Sequence, residues 1–268
     1  MSEAKTPPIL LHKRYEASSA FTPEALLREA RRQKGLAAIA VPDVCILDPD
    51  GDIVRHLRAS GRASLHPGWA CYHTELHVFA HEGHDYGIVG CAVGAAFAVL
   101  IAEELFASGC RLLISVTSAG QIAPVQAPPY FVVIDRALRD EGTSYHYAAP
   151  AAFAEADPRL VAAASHALAQ AGLAVHVGTS WTTDAPFRET ETAVAEARAH
   201  GALAVEMEAA ALYTFASRRN KAVLCLAHVT NTMGLAEQDF EKGEADGTAD
   251  ALRILATLAS TLPVAASD

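Results

Sequence analysis

The stretch Leu203–Ala216 reads LAVEMEAAALYTFA and places Glu206 and Glu208 on either side of Met207 inside an apolar run. A buried carboxylate is costly unless it is hydrogen-bonded, paired or neutralised. On a strand the two acids would share a face, with Met207 opposite; on a helix they would diverge by about 200°. The stretch reads as a strand end feeding a helix, which leaves two readings open. The acids either complement the dipole of a first helical turn or belong to a buried site.

Other segments carry reactive side chains. His73, His77, His81 and His84 recur in CYHTELHVFAHEGH. Spacing of four lines up metal ligands only on a helix, whereas the Val, Phe and Gly content favours a hairpin. HEGH is not the zinc-protease HExxH, so these read as surface or structural histidines. GIVGCAVGAAFA carries Gly87, Gly90 and Gly94 before a helix. It is not GxGxxG, but a glycine turn at a helix N-terminus can approach an anion or a sugar. No GxSxG elbow and no P-loop occurs, which argues against a serine hydrolase or an NTPase. SVTSAGQI reads as a strand ending in a tight turn. The loop DRALRDEGTSYHYAAP gathers two arginines, several acids, two tyrosines and His146, a composition suited to a pocket wall.

These groups need elements to hold them. Phe21–Gly35 reads as a helix with Thr22 as N-cap and Pro23 at the first helical position. Val44–Asp48 is a short strand, ELHVFAHEGHDYGIVGC a hairpin, and Ala95–Gly109 a helix that stops at a glycine. CRLLISVTSAG, YFVVIDRAL, AVHVGTSWTTD and KAVLCLAHVTN read as strands, while Pro158–Gly172, EMEAAALYTFASRRN and GTADALRILATLAS read as helices. Alternation of strand and helix predicts an α/β fold with a largely parallel sheet between helices. A ligand then belongs beyond the carboxyl ends of the strands. The exits are Asp48–Arg55, Thr117–Gln121, Asp135–Tyr147, Thr179–Thr190, Val205–Glu208 and Val229–Gly234.

Composition sets the outer bounds. The 268 residues suit one domain, 51% of them are hydrophobic and the net charge is −10, so no basic face points to nucleic acid. Five widely spaced cysteines, Cys45, Cys71, Cys91, Cys110 and Cys225, include no CxxC pair, which argues against zinc or a disulfide framework. Without a signal-like leader or a long apolar run, a soluble cytoplasmic protein with no membrane contact is expected.

AVEMEAAALYTFA, taken with TSAGQI, RDEGTSYHY and TSWTTDAPFRET in that order, resembles the nucleoside phosphorylase-I superfamily, and RDEGTSYHY resembles the uridine phosphorylase branch. The likeness runs from about residue 8 to residue 258 and makes 1–268 a single domain. It implies an α/β, three-layer domain around a mixed twisted sheet partly closed into a barrel and flanked by helices. It also implies a homodimer or homohexamer, no cofactor, and cleavage of a nucleoside N-glycosidic bond by phosphate or water.

Residue by residue, the resemblance makes Glu208 the carboxylate on the ribose hydroxyls and Met207 the thioether packed on the sugar. His12 is implied to reach a neighbouring subunit's ribose. Phe187, Arg188, Thr183 and Glu206 fall on the base side, and Asn231 at the group that handles the leaving base. Gly51 and Arg55 of GDIVR, Ser118, Gly94 and Ser115 fall at the phosphate or water site. Two further phosphate-holding arginines of the family are replaced by Pro67 and Ser115. Fewer cations favour water over a phosphate dianion, because charge-assisted contacts are the strong ones. The alternative is a non-catalytic relative that binds a nucleoside or base.

Overall fold

The computed structural model describes residues 6–11, 13–233 and 239–262. After the first helix, α1 (Pro23–Lys34), capped by the Thr22 hydroxyl on the Ala25 N–H as its sequence predicts, come β1 (Val44–Asp48) and α2 (Asp52–Ala59). Next are β2 (Ser64–Leu65), the hairpin β3 (His77–His81) and β4 (His84–Gly90), and α3 (Ala95–Ala107). The chain continues through β5 (Leu112–Gln121), β6 (Tyr130–Asp140), β7 (Phe153–Glu155), α4 (Pro158–Gln170) and β8 (Val175–Thr183). It ends with α5 (Glu191–Ala199), β9 (Ala202–Glu206), α6 (Ala209–Arg219), β10 (Ala222–Asn231) and α7 (Thr248–Thr261).

One sheet follows the order β10-β6-β8-β9-β5-β1-β4-β3-β2, and β10 pairs again with β5. That second pairing closes β10, β6, β8, β9 and β5 into a five-stranded barrel, from which β1, β4, β3 and β2 extend. The sheet is mixed rather than largely parallel. β1 runs parallel to β4 and β5, and β10 to β5, but within the barrel β9 is antiparallel to β5 and β10 to β6. Strand–helix alternation is blind to those two reversals.

The central strands read as near-continuous apolar runs because both faces are covered. Cys45, Leu47, Leu113, Val223 and Cys225 pack with α3 and α6. Val44, Ile46, Leu112, Ile114 and Leu224 face α2 and α7. One local expectation changes. TSAG is not a turn: β5 continues to Gln121, its end paired with Asn231 of β10 and with Val205 and Ala204 of β9. The exit after Gly51 runs directly into α2, because Asp48 accepts the N–H groups of Gly51 (3.1 Å) and Val54 (2.9 Å) and caps that helix.

Candidate active site at the strand exits

β9 ends at Glu206 and α6 starts at Ala209, so the two acids occupy the junction. Glu206 is 4% exposed. It accepts the hydroxyls of Ser180 and Thr182 on β8 and, at 2.7 Å each, the N–H groups of Glu208 and Ala209. These donors come from its own chain and tie the first turn of α6 to the barrel. The carboxylate of Glu206, expected near the base or in the structural shell around it, is occupied in building the junction.

Glu208 is 1% exposed and points the other way. It accepts the Gly94 N–H at the start of α3 (2.7 Å), the Thr117 hydroxyl of β5 (3.0 Å) and the Met207 N–H (3.3 Å). Neither acid has an ion-pair partner among the described residues. Burial is the main force raising both carboxyls, and Glu208, with Glu206 beside it, is pushed up to about 8. Both readings of the sequence therefore hold in part: one acid caps the helix and the other is poised at the strand exits.

The segment after β1 lies across these exits. Asp50 accepts the Ser118 N–H at 2.6 Å. Asp48, 2% exposed, is pushed up to about 7, mainly by burial. Asp52 takes Arg55 and Lys242 as ion-pair partners. Gly51, with φ +77°, lets the chain pass closely, since a Cβ there would stand 2.6 Å from Cys91 Sγ and 2.7 Å from Arg55 Nη1. Asp48, Asp50, Asp52, Thr117, Ser118 and His228 share the wall of a cavity of about 20 Å³. Larger hollows lie elsewhere; one of about 380 Å³ sits between Tyr15, Phe21, Glu103 and Arg219.

The other expected residues divide. Gly94 faces Glu208 through its N–H rather than holding an anion. Arg55 stands on α2, its side chain 58% exposed and bound to Asp52. Ser115 is fully buried, three residues back along β5 from Ser118, and its hydroxyl has no hydrogen-bond partner among the described residues. Asn231 ends β10, buried; its amide nitrogen donates to the Thr230 hydroxyl (3.2 Å) and its oxygen accepts the Met233 N–H (2.9 Å). Thr183 is buried and holds the Ala185 N–H at 3.2 Å. Phe187 is 99% exposed and Arg188 is exposed on the same short turn, so this chain alone does not fold them over Glu208. Met207 is half-buried beside Glu208, and His12 lies outside the described residues. Asp50, Asp48, Thr117 and His228 had not been singled out; the acids of DPDGD were the available signal.

Residues 43–260 match the family model described as the phosphorylase superfamily, and the chain belongs to that superfamily. It is 27% identical over 235 residues to a uridine phosphorylase of Thermococcus kodakarensis, covering 77% of this chain and 84% of the relative. It is 30% identical over 159 residues to a DeoD-type purine nucleoside phosphorylase of Roseobacter denitrificans, covering 59% of this chain and 68% of that protein. The fold is that of the uridine phosphorylase of Vibrio fischeri ES114, with a TM-score of 0.66 at 20% identity over 84% of this chain and 92% of that one. Among the described residues, no cluster of His, Cys, Asp or Glu is arranged to hold a metal ion, and no helix is long and apolar enough to cross a membrane.

Proposed function

We propose that this protein cleaves the N-glycosidic bond of a nucleoside and passes the ribosyl group to water. The observation that carries the choice of water is Asp50, whose carboxylate already occupies the Ser118 N–H at 2.6 Å. An amide at a strand exit is where a phosphate oxygen would be received, and here the chain supplies its own anion. Arg55 and Lys242 nearby are engaged by Asp52, so a phosphate dianion brought to this seat would meet the Asp50 carboxylate with no free cation beside it among the described residues around Asp52.

Glu208 accepts the sugar's 2′ and 3′ hydroxyls. Its negative charge stabilises the ribosyl cation that develops as the C1′–N bond breaks, an effect that is largest where water is excluded. Met207 packs on the sugar, and Glu206 holds α6 so that Glu208 keeps its aim. Asp50 takes the proton of the attacking water as its oxygen bonds to C1′. The bonding pair of the broken C1′–N bond leaves on the base, which Asn231 meets with a hydrogen bond and solvent protonates. Phe187 and Arg188 cover the base only when the loop closes or a second copy of the chain packs on it.

A second reading, phosphorolysis, is favoured by the names of the curated relatives and by the presence of Arg55 and Lys242 around Asp52. A panel of purine and pyrimidine nucleosides incubated with and without phosphate, with free base followed by chromatography, separates the two. Base release independent of phosphate is the expected result. Release that requires phosphate sinks the hydrolytic reading, and binding without release sinks the enzyme.

A further inference from the structure

Thr117 carries a buried hydroxyl to which the reaction above gives no part. Alternation along β5 puts its side chain on the face of Leu113 and Ala119, which packs with α3 and α6. The antiparallel register that pairs Gly120 with Val205 and Gln121 with Ala204 brings Thr117 level with Glu208, three residues back along β5 and three beyond Val205. Thr117 is 6% exposed, and its hydroxyl donates to Glu208 Oε2 at 3.0 Å. The same proton has a second acceptor within reach, the Ser118 carbonyl at 3.3 Å. The carboxylate is the better of the two, because an ionised acceptor makes the stronger bond.

An ionised carboxylate offers about four lone-pair positions. On Glu208 three are already taken: the Gly94 N–H lies on Oε1, and the Thr117 hydroxyl and the Met207 N–H lie on Oε2. A ribose brings two vicinal hydroxyls to the position that is left, and a 2′-deoxyribose brings one. Two of the present donors are backbone groups, fixed by the start of α3 and by the β9–α6 junction. The Thr117 proton can turn away, but it then settles for the neutral Ser118 carbonyl. Glu208 is 1% exposed, so solvent does not repair a mismatch there.

We infer that Thr117 is a specificity-determining residue. By holding one position on Glu208, it fits the sugar seat to a single vicinal hydroxyl, that of a 2′-deoxynucleoside. A ribonucleoside seats both hydroxyls by displacing the Thr117 proton from a charged acceptor to a neutral one. The inference rests on the reading of Glu208 as the sugar's acceptor, and it holds whether water or phosphate receives the glycosyl group.

The test uses the full chain and one base carried on ribose, on 2′-deoxyribose and on 2′-deoxy-2′-fluororibose. The readout is kcat/KM for the deoxynucleoside divided by kcat/KM for the ribonucleoside. Comparing that ratio between wild type and variants cancels the greater intrinsic lability of deoxynucleosides. Thr117→Val, which keeps the shape and removes the hydroxyl, should lower the ratio about tenfold or more, the scale of one hydrogen bond to a charged group. Thr117→Ser keeps the hydroxyl and should hold the ratio within about threefold of wild type. A merely structural threonine would change both substrates alike and leave the ratio where it was. If Thr117→Val does not fold, competitive inhibition of the wild type decides. The 2′-fluoro nucleoside, which lacks the 2′ donor, should bind at least as tightly as the ribonucleoside, and a ribonucleoside that binds more tightly overturns the inference. Base release that requires Glu208, with a ratio unmoved in Thr117→Val, overturns this inference alone. Release that survives Glu208→Gln removes the sugar seat, and this inference falls with it.

Discussion

The sugar side and the nucleophile side of the strand exits handle carboxylates in opposite ways. At the β9–α6 junction, Glu206 collects four donors, from β8 and the first turn of α6, and Glu208 collects three, from Gly94, β5 and the junction itself. On the nucleophile side, Asp50 takes a single described N–H, that of Ser118, and Asp48 and Asp52 crowd close behind it. The first arrangement fixes two carboxyls through their donors before any ligand arrives. The second leaves the Asp50 carboxylate on one backbone amide, which is the feature on which the proposed choice of water over phosphate rests.

The largest effect should come from the sugar side. Glu208→Gln is expected to reduce base release by about 10³-fold, because the amide cannot carry the charge that opposes the ribosyl cation. Turnover near wild type in a chromatographic assay would show that the site is misplaced. Next, Asp50→Asn should cost about 10²-fold in phosphate-independent release, the scale of losing a general base. A variant that gains phosphate-dependent release at the same time would sharpen the comparison.

Glu206→Ala tests the junction through stability rather than chemistry. Leaving the N–H groups of Glu208 and Ala209 and two hydroxyls without an acceptor should cost at least about 2 kcal/mol, read from denaturant unfolding.

The raised carboxyls predict a pH slope. Asp48 and Glu208 hold their protons in the folded chain up to about 7 and about 8, whereas an unfolded carboxyl releases its proton near pH 4. The folded state therefore binds more protons between those limits, and stability falls as pH rises through the window. The slope is about 1.4 kcal/mol per pH unit for each group within its range. Melting temperatures between pH 5 and 8 should decline, and Asp48→Asn should flatten the decline. Over the same interval kcat/KM should climb as Glu208 ionises, so activity and stability trend in opposite directions. The smallest effect is expected from Phe187→Ala. It should raise KM about threefold to tenfold through lost cover of the base, and an unchanged KM would remove Phe187 from the base side.

Much of this was readable in the sequence wherever the deciding physics is local. Thr22 and Pro23 marked the start of α1, and the hairpin around His81–His84 followed from two apolar runs. The EMEAA string marked the junction that holds Glu206 and Glu208, although it could not assign their roles. Those contacts depend on which donors arrive from β8, β5 and Gly94 at the start of α3, 26, 91 and 114 residues away. GDIVR drew attention to the exit of β1 through Gly51 and Arg55. The residue that meets Ser118 is nevertheless Asp50, one position earlier, because Asp48 caps α2 and turns Arg55 outward toward Asp52.

Apolar patterning, capping residues and glycine placement determined by themselves that this chain would make an α/β core, because each depends on spacing along a few residues. The barrel closure of β10 on β5, the reversal of β9, the division of labour between the two glutamates and the arrival of Asp50 and His228 at one small cavity were decided only by tertiary structure. Each depends on which distant strands become neighbours, and periodicity within a segment carries no record of its partner.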